Sequence, residues 1–434
     1  MSDDLGLLGG HPDDGWERQH RAEPARHEPG GGRSNRPPRT RAEVRKAQQR
    51  RVVARRRRRT ATVLAVAVLL VLGGGVYFGG RALLGGLGLG SASAAADFTG
   101  GGVADIVVQV AVGDSTSAIA KTLAANGVVA SATTFTKAAT GNAAITAVQP
   151  GYYKLRTRLP AADAVARLVS PDARVGQLVI PEGVQLDNVT GATGTVTDGI
   201  LTRIQKASCI TLDGSQQCTS LDELRSVAAT ADPAALGVPG WAVTAVTAVP
   251  DKGKRLEGLI RAGSYELRPA ASAQDQLTQL LTDSAAAYDR LGLPRTKAAG
   301  LTPYQVLVTA SLVQREALPP DFSKVARVVY NRLAVGQKLE FDSTVNYPLD
   351  VQAVATTDKD RAAVTPWNTY ASPGLPATPI SSPGNEALTA AEQPAAGTWL
   401  YFVTVDKGGT TVFSDTFAQH QRAIAQAQAN GVFG

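Results

Sequence analysis

Few side chains in this 434-residue chain are suited to acid–base or nucleophilic chemistry. His11, His20 and His27 sit in a basic amino-terminal tail, and only His420 lies elsewhere, near the carboxyl terminus. Serine and cysteine hydrolases need an imidazole to take the nucleophile's proton, and zinc peptidases usually need several as ligands. Only His420 could serve. The chain has no GxxxxGK[ST] phosphate loop and no GxGxxG turn after a strand. No cofactor is called for, and the chemistry left to such a chain rests on carboxylates, which points to glycosidic bonds. Glu316 in "TASLVQREALPP" is the leading candidate, with Asp342 in "LEFDST" as the residue to suspect as a partner. A solvated helix end is the plain alternative for Glu316.

The element that must position Glu316 is written in "LTPYQVLVTASLVQREALPP". Thr302 is the N-cap, Pro303 suits the first helical position, and Gln305 completes a capping box. Val306, Ala310, Val313 and Ala317 share one face, and Glu316 falls about 80° from the centre of that stripe, beside Thr309 and Leu312. It borders the buried face, where partial desolvation raises a carboxyl pKa and lets it hold a proton near neutrality. A second helix, "FSKVARVVYNRLAVG", places Phe322, Val325, Val329, Arg332 and Leu333 on one side and ends at Gly336. "LEFDST" reads as a strand delivering Asp342 to its end. The proline- and glycine-dense "TPWNTYASPGLPATPISSPG", Thr365 to Gly384, reads as a long functional loop. Its Trp367 and Tyr370 either stack on sugar faces or plug the loop into the core. "TWLYFVTVDKGGTTVFSDTFAQHQRAI" gives a strand, a turn at Lys407 to Gly409, another strand and a closing helix.

The rest of the chain divides by composition. The first sixty residues hold 16 Lys and Arg against 8 Asp and Glu, and the remainder 28 against 29, so all the excess positive charge is in the tail. Residues 1–59 lack apolar material and are expected to be disordered. They also lack aromatic interleaving or a groove-reading motif, so nucleic acid is not the expected partner; topology control with contact to anionic membrane lipid is, and a cytoplasmic partner stays open. Residues 60–80 carry an uncharged apolar run after "RRRRR" that reaches roughly 30 Å as a helix, one bilayer core. It reads as a transmembrane helix with its amino-terminal end cytoplasmic and everything beyond it outside. The small-residue site in "SASAAADF" lies too far beyond the run for a cleaved signal peptide.

Residues 81–102 read as a flexible linker, 103–175 as a small α/β module, 176–300 as a second, and 301–434 as the catalytic domain. "PGYYKLRTRLPAADAVARLV" and "AGSYELRPAASAQDQLTQLL" share a pattern of strand, loop and amphipathic helix, and "VAVGDSTSAIAKTLAANGVV" reads as strand, turn and helix. Cys209 and Cys218 in "CITLDGSQQC" are expected to form a disulfide as a structural staple, being too few for a zinc site.

Together, "ASLVQRE", "VVYNRL", "FDSTVNY", "PWNTYASPGLPATPISSPG" and "LYFVTVDKGGTTVFSDTFAQH" resemble the endolytic murein transglycosylases of bacteria, the MltG/YceG-like family. The likeness spans roughly Val110 to the end. It implies an α+β fold in which a LysM-like module precedes an α/β catalytic region, anchored by one transmembrane helix. It also implies a lyase that cuts nascent peptidoglycan glycan strands and leaves a 1,6-anhydro-N-acetylmuramic acid end, working beside wall-synthesis enzymes. Glu316 would be the catalytic acid, at the second carboxylate of the family's "[ST]-[IL]-V-E-[KR]-E", with Gln314 in place of the first. Asp342, Asn368 and Tyr370 would shape the glycan cleft, with Trp367 beside them and Gly374, Leu375 and Pro376 as its backbone wall. The chain departs from the family again at "LEGLIRAGSYEL", which keeps only Glu257 and Gly258 of the usual pattern. Two other readings stay open: a non-catalytic peptidoglycan-binding scaffold, and a hydrolase pairing Glu316 with Asp342.

Overall fold

In a computed structural model, residues 96–353 and 356–432 are described. The tail 1–59, the apolar run 60–80 and most of the linker expected at 81–102 lie outside them. Among the described residues no helix is long and apolar enough to cross a membrane.

Alternation in "DIVVQV" builds β1 (Asp105–Val110), which pairs antiparallel with β2 (Gly151–Arg156). Between them lie α1 (Thr116–Ala125) and α2 (Ala132–Ala139), started by the side chains of Ser115 and Ser131. These serines accept backbone amides that have no partner within the helix. After α3 (Ala161–Leu168), β3 (Arg174–Val175) adds to the free edge of β2. The core of this module gathers Val108, Leu123, Phe135, Tyr153, Leu155 and Leu168. The end of the expected linker is tied to it: Asp97 accepts the amide of Ala161, and Arg156 donates to the Gly101 carbonyl.

Next come β4 (Gln177–Ile180), β5 (Val189–Gly191), β6 (Val196–Thr197) and α4 (Ile200–Ser208). They are followed by the hairpin β7 (Ile210–Leu212) and β8 (Ser215–Gln217), and the disulfide Cys209–Cys218 joins the residues flanking it. Then follow α5 (Leu221–Thr230), α6 (Gly240–Ala248), β9 (Gly263–Glu266) and α7 (Ala273–Leu291). β9 returns to pair antiparallel with β4. Gly176, at φ +76°, lets β3 turn into β4: a Cβ there would lie 1.9 Å from the Leu267 carbonyl oxygen.

The helix that ends at Glu316 is α8 (Pro303–Glu316), followed by α9 (Phe322–Ala334). Thr302 and Gln305 form its reciprocal cap, with Pro303 at the first turn. Its flank of Tyr304, Val306, Leu307 and Ala310 lies in one core with Ile180, Leu186, Ile204, Leu256 and Leu277. Residues 176–300 and the start of the following segment thus share their interior, and the middle of the helix, Val306 to Val313, is buried. After α10 (Asp342–Asn346), β10 (Val351–Gln352) runs parallel to β5. The short α11 (Asp358–Ala362) precedes the long loop, and α12 (Asn385–Glu392) follows it. A hairpin of β11 (Tyr401–Thr404) and β12 (Thr411–Ser414) and α13 (Phe417–Ala429) close the chain. The whole is a mixed α+β fold.

One expectation fails here: "LEFDST" does not form a strand. Glu340 takes φ +54°, which breaks an extended run. The amides of Glu340 and Phe341 pair instead with the carbonyl and hydroxyl oxygens of Thr369 in the long loop. Asp342 therefore opens a helix rather than ending a strand.

Candidate active site

α8 stops at Glu316 because Ala317 is extended, at φ −142° and ψ 173°, and Pro319 and Pro320 forbid a further turn. Its carboxyl thus sits at the negative end of a helix dipole, which disfavours its anion. Removal from water pushes its pKa up to about 7; the charge of Asp342 acts the same way, while the hydroxyl and amide of Ser343 and the nearby Arg315 oppose it. Glu316 is therefore poised to hold or release a proton near neutrality.

Asp342 and Ser343 come from α10, which faces the end of α8. Asp342 Oδ1 accepts from Thr356 Oγ1 at 2.7 Å and pairs with Arg361 Nε at 3.5 Å. The Arg361 guanidinium also lies 5.4 Å from the ring centre of Tyr370. Burial first, and then Asp342, raises the titration of Tyr370, so its hydroxyl stays protonated. The Ser343 hydroxyl lies against Glu316 and the Tyr370 hydroxyl against Asp342. Two carboxyls and two hydroxyls gathered at one helix end suit a polyhydroxylated ligand.

The long loop supplies the remaining candidates. Asn368 Nδ2 donates to the carbonyls of Asp360, Arg361 and Ala363, and its Oδ1 accepts the amides of Tyr370 and Ala371. Its capacity is used inside the chain, so it fixes the loop and aims Tyr370. Trp367 is buried at 5 % exposure, packs 5.5 Å from the Tyr347 ring and donates from Nε1 to Thr378 Oγ1 at 2.8 Å. Of the two roles open to it, the structure gives the plug, not the sugar platform. Gly374 is at φ +99° with free space around it, Leu375 packs against the core shared with Tyr347 and Trp367, and Pro376 is buried. Glu316, Asp342 and Tyr370 come together; Trp367 and Asn368 support from behind.

Beyond the end of α8, Glu182, Gln185, Gln314, Arg315 and Gln352 line a groove of about 510 Å³. Gln314 Oε1 accepts the amide of Gly384 at 2.8 Å, so the position where the family pattern has a carboxylate anchors the end of the loop. His420 is buried, stacked on Tyr401 at 5.1 Å, and burial lowers its pKa to about 4. It is a core side chain. The reading from sequence missed Ser343, Arg361 and Thr356; Ser343 alone had a visible signal, as the neighbour of Asp342 in "FDST".

An α+β chain with a desolvated carboxyl at a helix end, under a braced loop, defines the class into which comparison places it. The model of the YceG-like family matches residues 108–426. The endolytic murein transglycosylase of Bacillus subtilis is 26% identical over 326 residues, covering 73% of this chain and 83% of that protein. That of Streptococcus pneumoniae strain R6 is 23% identical over 307 residues, 65% of this chain and 51% of that protein. The crystal structure of a yceG-like protein from Listeria monocytogenes shares 25% identity, with a TM-score of 0.45 over 73% of this chain and 98% of that one. This chain belongs to the YceG-like family.

Proposed function

We propose that this chain is a membrane-anchored endolytic lytic transglycosylase. It cleaves nascent glycan between N-acetylmuramic acid and N-acetylglucosamine and so ends strand growth. The observation that carries the reading is Glu316: one carboxyl at a helix end, whose pKa burial raises to about 7, with Ser343 and Asp342 from the facing helix beside it. The names of the relatives support the same activity.

Protonated Glu316 gives its proton to the glycosidic oxygen, and the bonding pair leaves with that oxygen as the anomeric carbon gains oxocarbenium character. The carboxylate then takes the proton of the muramic C6 hydroxyl, whose oxygen attacks the anomeric carbon within the same sugar. Atoms balance without water, and Glu316 ends protonated as it began. Because the internal hydroxyl replaces water, no second carboxylate is compulsory. Asp342, held by Arg361 and Thr356, raises the pKa of Glu316 instead of activating water.

In this reading the apolar run 60–80 is the anchor, with the basic tail against anionic lipid in the cytoplasm and residues 96–434 outside. The β1-α1-α2-β2 unit serves as a LysM-like glycan-holding module. Wall-synthesis enzymes that extrude the strand are the expected neighbours. The test is the full chain in detergent with nascent peptidoglycan. Mass spectrometry should find anhydro ends, whereas hydrolysis would add water and leave reducing ends. Glu316→Gln should cut release by about 10³-fold or more, since it removes acid and base together, at unchanged thermal stability near pH 5; release at wild-type rate in that variant overturns the reading.

A further inference from the structure

Glu257 is a buried carboxylate that this mechanism does not use. It is 2 % exposed, and its surroundings are donors: the Leu186 amide reaches both of its oxygens at 3.0 Å, and the Tyr347 hydroxyl donates to Oε2 at 3.0 Å. Tyr347 is itself held on three sides. Its ring packs on Trp367, the Lys254 ammonium lies 4.8 Å from the ring centre, and its amide donates to the Ser343 carbonyl at 3.0 Å. That last bond closes the single helical turn whose start is Ser343, the residue facing Glu316.

The neighbouring glycine reaches the second wall of the site. Gly258, at φ +72°, lies so close under the long loop that a Cβ would sit 2.5 Å from Pro379 Cβ. Two residues on from the loop's Thr378, the amide of Ile380 donates to Ser311 Oγ on α8, at 3.0 Å. Ser311 is five residues before Glu316. One turn of chain therefore braces both α10 and the loop, the two elements that close over the acid.

We propose that Glu257 is a positioning residue for the reaction: by holding Tyr347 it fixes the turn carrying Ser343, and so sets the distance and solvation of Glu316. The inference rests on the role given to Glu316 under Proposed function. Carboxylate-to-hydroxyl bonds in a dry interior are geometrically demanding, and sub-ångström drift at a reacting centre is costly in rate.

The test compares Tyr347→Phe and Glu257→Gln with the unaltered full chain in detergent, with nascent peptidoglycan as substrate. Tyr347→Phe keeps the ring and its packing and removes one hydroxyl. Expected is a roughly tenfold fall in kcat with KM little changed, a melting temperature close to that of the unaltered chain, and a displaced basic limb in the pH profile of kcat/KM. Lys254, Tyr304 and Tyr347 are the groups that face Glu257; those that act on Glu316 are Ser343, Asp342 and Arg315, so a purely structural loss would leave that limb in place. An unchanged kcat, or a fall with no displacement of the limb, overturns the proposal. If Glu257→Gln does not fold, Tyr347→Phe decides alone. Release surviving in Glu316→Gln would instead sink the functional reading, whatever these two variants do.

Discussion

Glu316 and Glu257 are a natural pair for comparison, because burial pushes both carboxyls up to about 7 by the same physical cause. Everything else about them differs. Glu316 is half-buried at the end of a helix and has Ser343, Asp342 and Arg315 as its polar neighbours. Glu257 is sealed in a turn and surrounded by donors that already hold it. A raised carboxyl pKa marks either a working acid or a structural clamp, and what separates them is access for a ligand, not the pKa.

The sharpest way to break the comparison is through Trp367, which stands on the Glu257 side by packing on Tyr347. Trp367→Ala should cost about 3–5 kcal/mol, by loss of a buried ring and the cavity left behind. Chemical denaturation measures this. Glycan affinity per folded molecule should stay near that of the unaltered chain. A large loss of affinity at intact stability would return Trp367 to the sugar-platform role and blur the division between site and support.

The next effect is on stability against pH. Burial raises both carboxyls to about 7 in the folded state against an ordinary value of 4.5, so between these limits the folded state holds protons that the unfolded chain gives up. Their contribution is fully present below about pH 4.5 and is lost as pH rises through 7, by about 3 kcal/mol for Glu257 and less for Glu316, which water reaches more easily. His420 acts in the opposite sense: its folded pKa is lowered to about 4, so its contribution is lost as pH falls below about 6.5. Melting temperatures of Glu316→Gln and the unaltered chain, subtracted at each pH, cancel the histidine. Glu316→Gln should gain relative stability from pH 5 to 8. A flat difference would mean that Glu316 is solvated in the folded state.

What could be read from the sequence follows the range of the interactions involved. The cap Thr302–Gln305, the face of α8 and the marginal place of Glu316 depend on residues within a few positions of one another, and the helical period shows them. The hairpin at 401–414 is legible for the same reason. Glu340 is not: nothing local announces φ +54°, and the reason for it, pairing with Thr369, comes from 29 positions away. Glu257 meets partners 71 and 90 positions distant, so its burial is tertiary information. Trp367 could stack or plug because its surface was undetermined until Tyr347 and Thr378 were placed beside it.

The smallest effect tests the working side of the pair most directly. The Ser343 hydroxyl favours ionised Glu316, whereas burial and Asp342 oppose ionisation. Ser343→Ala removes one donor that lowers the pKa and leaves the burial and the Asp342 charge that raise it. The basic limb of the release profile should therefore move upward by a few tenths of a pH unit, roughly what one weak hydrogen bond is worth, with kcat reduced only a few-fold. The sign matters more than the size. A downward shift would mean that water entering the vacated space solvates the carboxylate better than the serine did, and that the dryness of the site, not its donors, is what α10 provides.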